Sequence, residues 1–107
     1  MTSSVNPNYS DAYYDRGLAK NGLKDYHGAI QDFNKTIEID PKNAYAYYHR
    51  GLAKYELLDY SGAIQDYNKA IEINHDYPKA YSNRGLAKYE LKDFQRSLTS
   101  LLLNAAG

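Results

Sequence analysis

The sequence predicts an all-α solenoid of three stacked helical hairpins, and three observations carry that expectation. The pentapeptide Arg16-Gly17-Leu18-Ala19-Lys20 returns at Arg50-Gly51-Leu52-Ala53-Lys54 and again at Arg84-Gly85-Leu86-Ala87-Lys88, a stride of 34 residues each time. That period is the length of a helix-turn-helix unit. The match then extends beyond five letters, since Asp25-Tyr26-His27-Gly28-Ala29-Ile30-Gln31-Asp32-Phe33-Asn34-Lys35 aligns with Asp59-Tyr60-Ser61-Gly62-Ala63-Ile64-Gln65-Asp66-Tyr67-Asn68-Lys69. Finally, apolar residues within the unit fall at three-four spacing, as in Tyr26, Ala29, Ile30, Phe33 and Ile37, the signature of a core-facing helix.

Each element follows in order. Residues 1–9 form a polar lead-in with a turn signal at Asn6-Pro7-Asn8. The first unit, 10–43, opens near Ser10 or Asp11, either of which can accept hydrogen bonds from free first-turn amides. Its first helix runs to about Gly22, and Asp25 caps its second, which ends at Asp40-Pro41-Lys42-Asn43 because proline cannot continue the ladder. The second unit, 44–77, repeats this with helices from about Ala44 to Leu57 and Tyr60 to Ile73. The third, 78–107, starts at Pro78, where a fixed φ suits the first helical turn. Its first helix is expected to reach Leu91, with Asp93 capping a last helix to about Asn104 and no separate capping helix after it. The expected total is six helices in three antiparallel pairs.

Composition narrows function. Thirteen basic and thirteen acidic side chains cancel, which disfavours a partner held by bulk electrostatics, whether nucleic acid or an anionic membrane. The chain has no cysteine and hence no thiol chemistry. Met1-Thr2-Ser3-Ser4-Val5 does not resemble a secretory signal, and no apolar run approaches the roughly 20 residues of a bilayer span. A cytoplasmic protein is expected. Thirteen tyrosines beside two phenylalanines and no tryptophan must supply most aromatic packing.

These residues resemble the tetratricopeptide repeat (TPR) family. In the middle unit Tyr47, Gly51, Ala63, Tyr67 and Ala70 match the family's alternation of aromatic and small positions. Tyr13, Gly17, Ala29, Phe33 and Pro41 match it in the first, with Thr36 in place of alanine. The third offers Tyr81, Gly85, Ser97 and Leu101, with Asn104 where a small residue is usual. The resemblance implies a right-handed α-α superhelix whose first helices line a concave groove that holds protein segments. Lys20, Lys54 and Lys88 stand where the family often has an aromatic, so their stems are expected to cover apolar surface while the ammonium reaches water. Arg16, Arg50 and Arg84 stand at usually apolar places and need partners. Pairing across the repeat boundary is expected, Asp32 with Arg50 and Asp66 with Arg84, because Ser100 replaces the aspartate in the last copy; the alternative is pairing within each copy or solvated ends.

A residue present in every copy occupies three similar environments, whereas an active site needs one asymmetric constellation. Asp25, Asp59 and Asp93 therefore read as caps, and Glu38 and Glu72 as solvated helix-end charges. His27, His49 and His75 fall at unrelated places in the unit, which argues against a metal. Neither a phosphate loop nor a serine-histidine-acid pattern occurs. The expectation is a protein that is not an enzyme and uses no cofactor.

The stripe of the first helices that faces away from the core, a constant leucine with neighbours that vary between copies, then defines the candidate groove: Tyr14 and Leu18; Tyr45, Tyr48, His49, Leu52 and Tyr55; Lys79, Asn83, Leu86 and Tyr89. This surface of tyrosines, amides and a slight acidic excess suits an extended peptide or short helix. Family members that clamp the carboxyl terminus of chaperones use several lysines, arginines and asparagines. Only Lys79, with Asn83 as a partial match, fits that set, so such a clamp is disfavoured. RNA stacking is opposed by Asp11, Asp15, Glu56 and Glu90. An alternative is a structural or engineered scaffold that assembles through its last helix, where Leu98, Leu102 and Leu103 are expected to support a homodimer.

Overall fold

The computed structural model describes residues 8–106, all five of its elements being helices: α1 (Asn8–Gly22), α2 (Tyr26–Ile39), α3 (Ala44–Glu56), α4 (Tyr60–Ile73) and α5 (Pro78–Ala106). The lead-in expected over 1–9 lies outside the described residues up to residue 7; α1 begins within its last two positions.

The first two hairpins form as the repeat requires. Asp25 accepts a hydrogen bond from the Gly28 amide at 3.1 Å, and Asp59 one from Gly62 at 3.0 Å, satisfying first-turn donors that the helix itself leaves free. Asn43 does the same for Ala46. The intervening turns pass through Lys24 (φ 65°) and Leu58 (φ 68°), left-handed conformations that cost a residue with a Cβ roughly 1–2 kcal/mol.

Packing is set by glycine opposite an aromatic ring. A Cβ built on Gly17 would lie 2.6 Å from the Phe33 ring, and one on Gly51 would lie 2.7 Å from Tyr67 and 3.3 Å from the Ala63 carbonyl. Phe33 and Tyr67 are fully buried as a result. Thr36 is equally buried; its hydroxyl donates to the Asp32 carbonyl at 3.0 Å, with the Ser10 carbonyl as a longer alternative acceptor at 3.4 Å, so the polar substitute for alanine is satisfied.

Neighbouring contacts explain the curvature. Among the described residues α1 touches α3 and α3 touches α5, whereas α2 and α4 do not meet. The first helices are thus the inner layer and α2 and α4 the outer one, in a molecule 69 × 28 × 20 Å.

Two expectations need correction. The arginines pair within their own hairpins: Arg16 Nη2 to Asp32 at 2.8 Å and Arg50 Nη2 to Asp66 at 2.7 Å. Each Nε donates to the second carboxylate oxygen, and Lys20 and Lys54 approach the same carboxylates. Asp32 and Asp66 face inward toward their own first helix, which fixes the choice. What crosses the repeat boundary is an amide: Arg50 donates to Asn34 and Arg84 to Asn68, both at 2.8 Å.

The second correction is the number of helices. The third hairpin does not turn, and α5 continues through Lys92 and Asp93 for 29 residues. The difference lies three residues after the expected cap. Gly28 and Gly62 sit so close to the capping aspartates that a Cβ there would overlap the carboxyl group. Position 96 is arginine, so a cap by Asp93 would need its carboxyl group to shift from that geometry, and the chain stays helical. Every residue from Lys92 to Ala106 is exposed.

Candidate functional site

The inner face between α3 and α5 holds a cleft of about 510 Å³ lined by Tyr45, Tyr48, His49, Tyr77, Pro78 and Lys79. Its construction starts in α3, where Tyr45, Tyr48 and His49 occupy positions that turn from the core toward the inner layer. Tyr48 is 6 % exposed and forms the floor. Its ring packs on Tyr67, Tyr77 and His49 at centroid distances of 5.8, 4.9 and 5.0 Å. Its hydroxyl accepts from Asn83 Nδ2 at 2.6 Å. Burial raises the pKa of this phenol, so it serves as a neutral hydrogen-bonding group.

His49 lies between repeats, against Tyr14 at 5.9 Å and Phe33 at 6.2 Å. Desolvation, with a smaller contribution from the Lys79 ammonium, depresses its pKa to about 4. At neutral pH it is an uncharged aromatic. Its backbone carbonyl accepts from Asn21 Nδ2 at 3.2 Å, tying α1 to α3.

The rim is wetter. Tyr45 is 56 % exposed and touches Tyr77 edge-on at 5.6 Å; Lys79 is exposed and is the cation of the cleft. Tyr14, Leu18, Leu52 and Tyr55 are half-buried. Leu52 and Tyr55 pack at the edge of the core, and the Tyr55 hydroxyl donates to Glu90 at 3.1 Å, a second link from α3 to α5. Leu86 and Tyr89 are exposed further along α5.

The structure therefore gathers Tyr45, Tyr48, His49 and Lys79 into one cleft, and places Asn83 behind it as the partner of Tyr48. It separates Leu86 and Tyr89 from that cleft and gives Tyr48 and His49 large packing duties. Tyr77 and Pro78 were not among the sequence candidates. Both lie at the α4–α5 junction, where the copy departs from the earlier Asn43-Ala44 wording, and that departure was the available signal. Among the described residues no three His, Cys, Asp or Glu side chains converge on a metal-sized space.

Comparison with known proteins places this geometry. A family profile described as TPR repeat matches residues 23–57 and 59–92, more than half the chain. No curated protein sequence matches significantly. Among solved structures, the Arabidopsis OM64 TPR domain is 30% identical with a TM-score of 0.80, over 85% of this chain and 75% of that one. The first TPR of Spaghetti (RPAP3), bound to the HSP90 peptide SRMEEVD, is 28% identical with a TM-score of 0.77, over 86% and 75%. The second TPR domain of human RPAP3, in complex with the HSP70 peptide SGPTIEEVD, is 27% identical with a TM-score of 0.78, over 95% and 89%. Repeated period, glycine-on-aromatic packing, inner and outer helix layers and the matched profile converge: this chain belongs to the tetratricopeptide repeat family.

Proposed function

We propose that the protein is an interaction module that holds a segment of another protein along its inner face, with the Tyr45–Lys79 cleft as the anchoring point. The observation that carries this reading is the cleft itself: a tyrosine-walled depression with a buried floor, an exposed Tyr45 at its rim and a single cation. Tyrosine presents large, rigid contact area together with a hydroxyl, and exposed apolar patches bordered by polar groups are typical recognition surfaces. Similar TPR domains bound to HSP90 and HSP70 peptides support a peptide as the ligand class.

The chemistry of the ligand differs from those acidic tails. One lysine in the cleft, with Asp11 and Asp15 exposed on α1 and Glu56 on α3, disfavours a terminus rich in carboxylates and favours a neutral or basic segment with an aromatic or aliphatic anchor. The test is a peptide array holding neutral, basic and acidic-terminus sequences, SRMEEVD included, followed by titration of the hits. Tyr45→Ala with Lys79→Ala is expected to weaken a hit by roughly tenfold or more while leaving helicity intact, because both side chains are exposed. Tight binding of SRMEEVD, or hits indifferent to the double variant, contradicts this ligand class or this site respectively.

A second reading is self-association through the last part of α5. The observation favouring it is the row of exposed leucines, Leu98, Leu101, Leu102 and Leu103, at 45, 64, 70 and 68 %.

A further inference from the structure

We propose that this chain dimerises by reciprocal exchange: residues 92–106 of each protomer lie on residues 78–91 of the other, as α2 lies on α1 and α4 on α3. The inference rests on the self-association reading and gives it a specific geometry.

Each molecule carries both halves of one hairpin interface, and neither half is filled. On the first-helix side, the glycine that receives Phe33 or Tyr67 in the earlier hairpins is Gly85, and a Cβ built there has no atom within 4 Å. Tyr81, the counterpart of Tyr47, is 43 % exposed where Tyr47 is 8 %. On the second-helix side, Phe94, Leu98 and Leu101 hold the places of Tyr60, Ile64 and Tyr67. Those three are half-buried or buried, yet their counterparts are exposed.

The two halves belong to one uninterrupted helix and cannot meet within a protomer unless it breaks. A second copy has no such obstacle. In the closed hairpin Gly51 opposes Ala63; one period later Gly85 opposes Ser97, and the midpoint is Leu91. Two α5 helices crossing antiparallel with Leu91 on a two-fold axis satisfy both registers at once, which is the self-complementarity of an isologous interface. An unrelated partner would have no reason to match this register. Four helix faces of about 22 Å at 1.5 Å per residue give a buried area on the order of 1,000 Å², the threshold of a stable interface.

Exchange differs from simple end-to-end packing in which leucines it uses. Leu102 and Leu103 correspond to Asn68 and Lys69, which are exposed in the closed hairpin, so they stay outside the exchanged interface.

Sedimentation equilibrium of the full chain from low to high micromolar concentration tests this, with circular dichroism to follow helicity. The wild type is expected to dimerise. Lys92→Gly with Arg96→Gly favours the left-handed turn and restores the glycine beneath the Asp93 cap, and should weaken dimerisation about tenfold or more as the hairpin closes within each protomer. Leu101→Asp should likewise give monomers, whereas Leu102→Asp with Leu103→Asp should dimerise as the wild type does. A wild type that stays monomeric overturns both exchange and self-association. A dimer lost in Leu102→Asp with Leu103→Asp, but kept in Leu101→Asp and in the glycine pair, overturns exchange and leaves self-association standing.

Discussion

Tyr67 and Phe33 occupy equivalent places, and only one of them has a hydroxyl to satisfy. The Tyr67 hydroxyl is buried with no hydrogen-bond partner, and burial drives its pKa up, as expected for a phenol denied water. The first hairpin shows that the ring alone fills the space above the glycine. Tyr67→Phe should therefore raise stability by about 1 kcal/mol, the usual scale for relieving an unsatisfied buried polar group, read as a higher midpoint in denaturant unfolding. His49 yields a pH dependence of known sign. Its folded pKa, about 4, lies below the unfolded value of about 6.5, so the unfolded chain binds the extra proton. The His49 contribution is full above about pH 6.5 and is lost as pH falls toward 4, on the order of 2 kcal/mol after discounting for its partial exposure. Asp32 adds a separate loss below the ordinary carboxylate range, because hydrogen bonds from Arg16, and then from Lys20, hold its pKa down. In His49→Phe the slope between pH 6.5 and 4 should flatten while the acid limb below it persists. Among residue identities, the aspartates were legible as arginine partners; which arginine each would take was not. That choice depends on the rotation of α2 and α4 about their axes, which a repeat count does not specify.

At the level of elements, the residue three places after the capping aspartate separates the two closed hairpins, which have glycine there, from the rod, which has arginine. Lys24 and Leu58 show that a residue with a Cβ can make the left-handed turn, and Lys92 is the same residue type as Lys24, so the turn position is not what changes. Glycine at 28 and 62 against arginine at 96 is the change that bears on the cap. Gly62→Ala isolates this effect. Helix propensity favours alanine by about 1 kcal/mol, and loss of the Asp59 cap costs about as much, so the single change should be nearly neutral. In an Asp59→Ala background the cap is already gone and Gly62→Ala should stabilise by about 1 kcal/mol. A double-mutant cycle in urea therefore should show a coupling near 1 kcal/mol; a coupling of zero would mean that the cap tolerates a Cβ. The signal was present in the letters, since Gly28, Gly62 and Arg96 align, but reading it required knowing how near the carboxylate lies.

For the whole molecule, the period carried two hairpins of equal length stacked in order, while the third opened into a rod; the inner place of the first helices came from the family resemblance. The candidate site was only partly legible because curvature brings the α4–α5 junction over α3, and Tyr77 closes on Tyr45 and Tyr48 from the last position of the second unit. Asn83 and Glu90 reach the Tyr48 and Tyr55 hydroxyls from one repeat away, contacts that no single unit encodes. The Arg50–Asn34 and Arg84–Asn68 bonds carry a different lesson. Residues 44–77 bring an arginine that docks backward and an asparagine that receives from ahead, so this cassette holds complementary ends of one seam. Strung head to tail as a concatemer, it keeps this polar clasp at each internal junction.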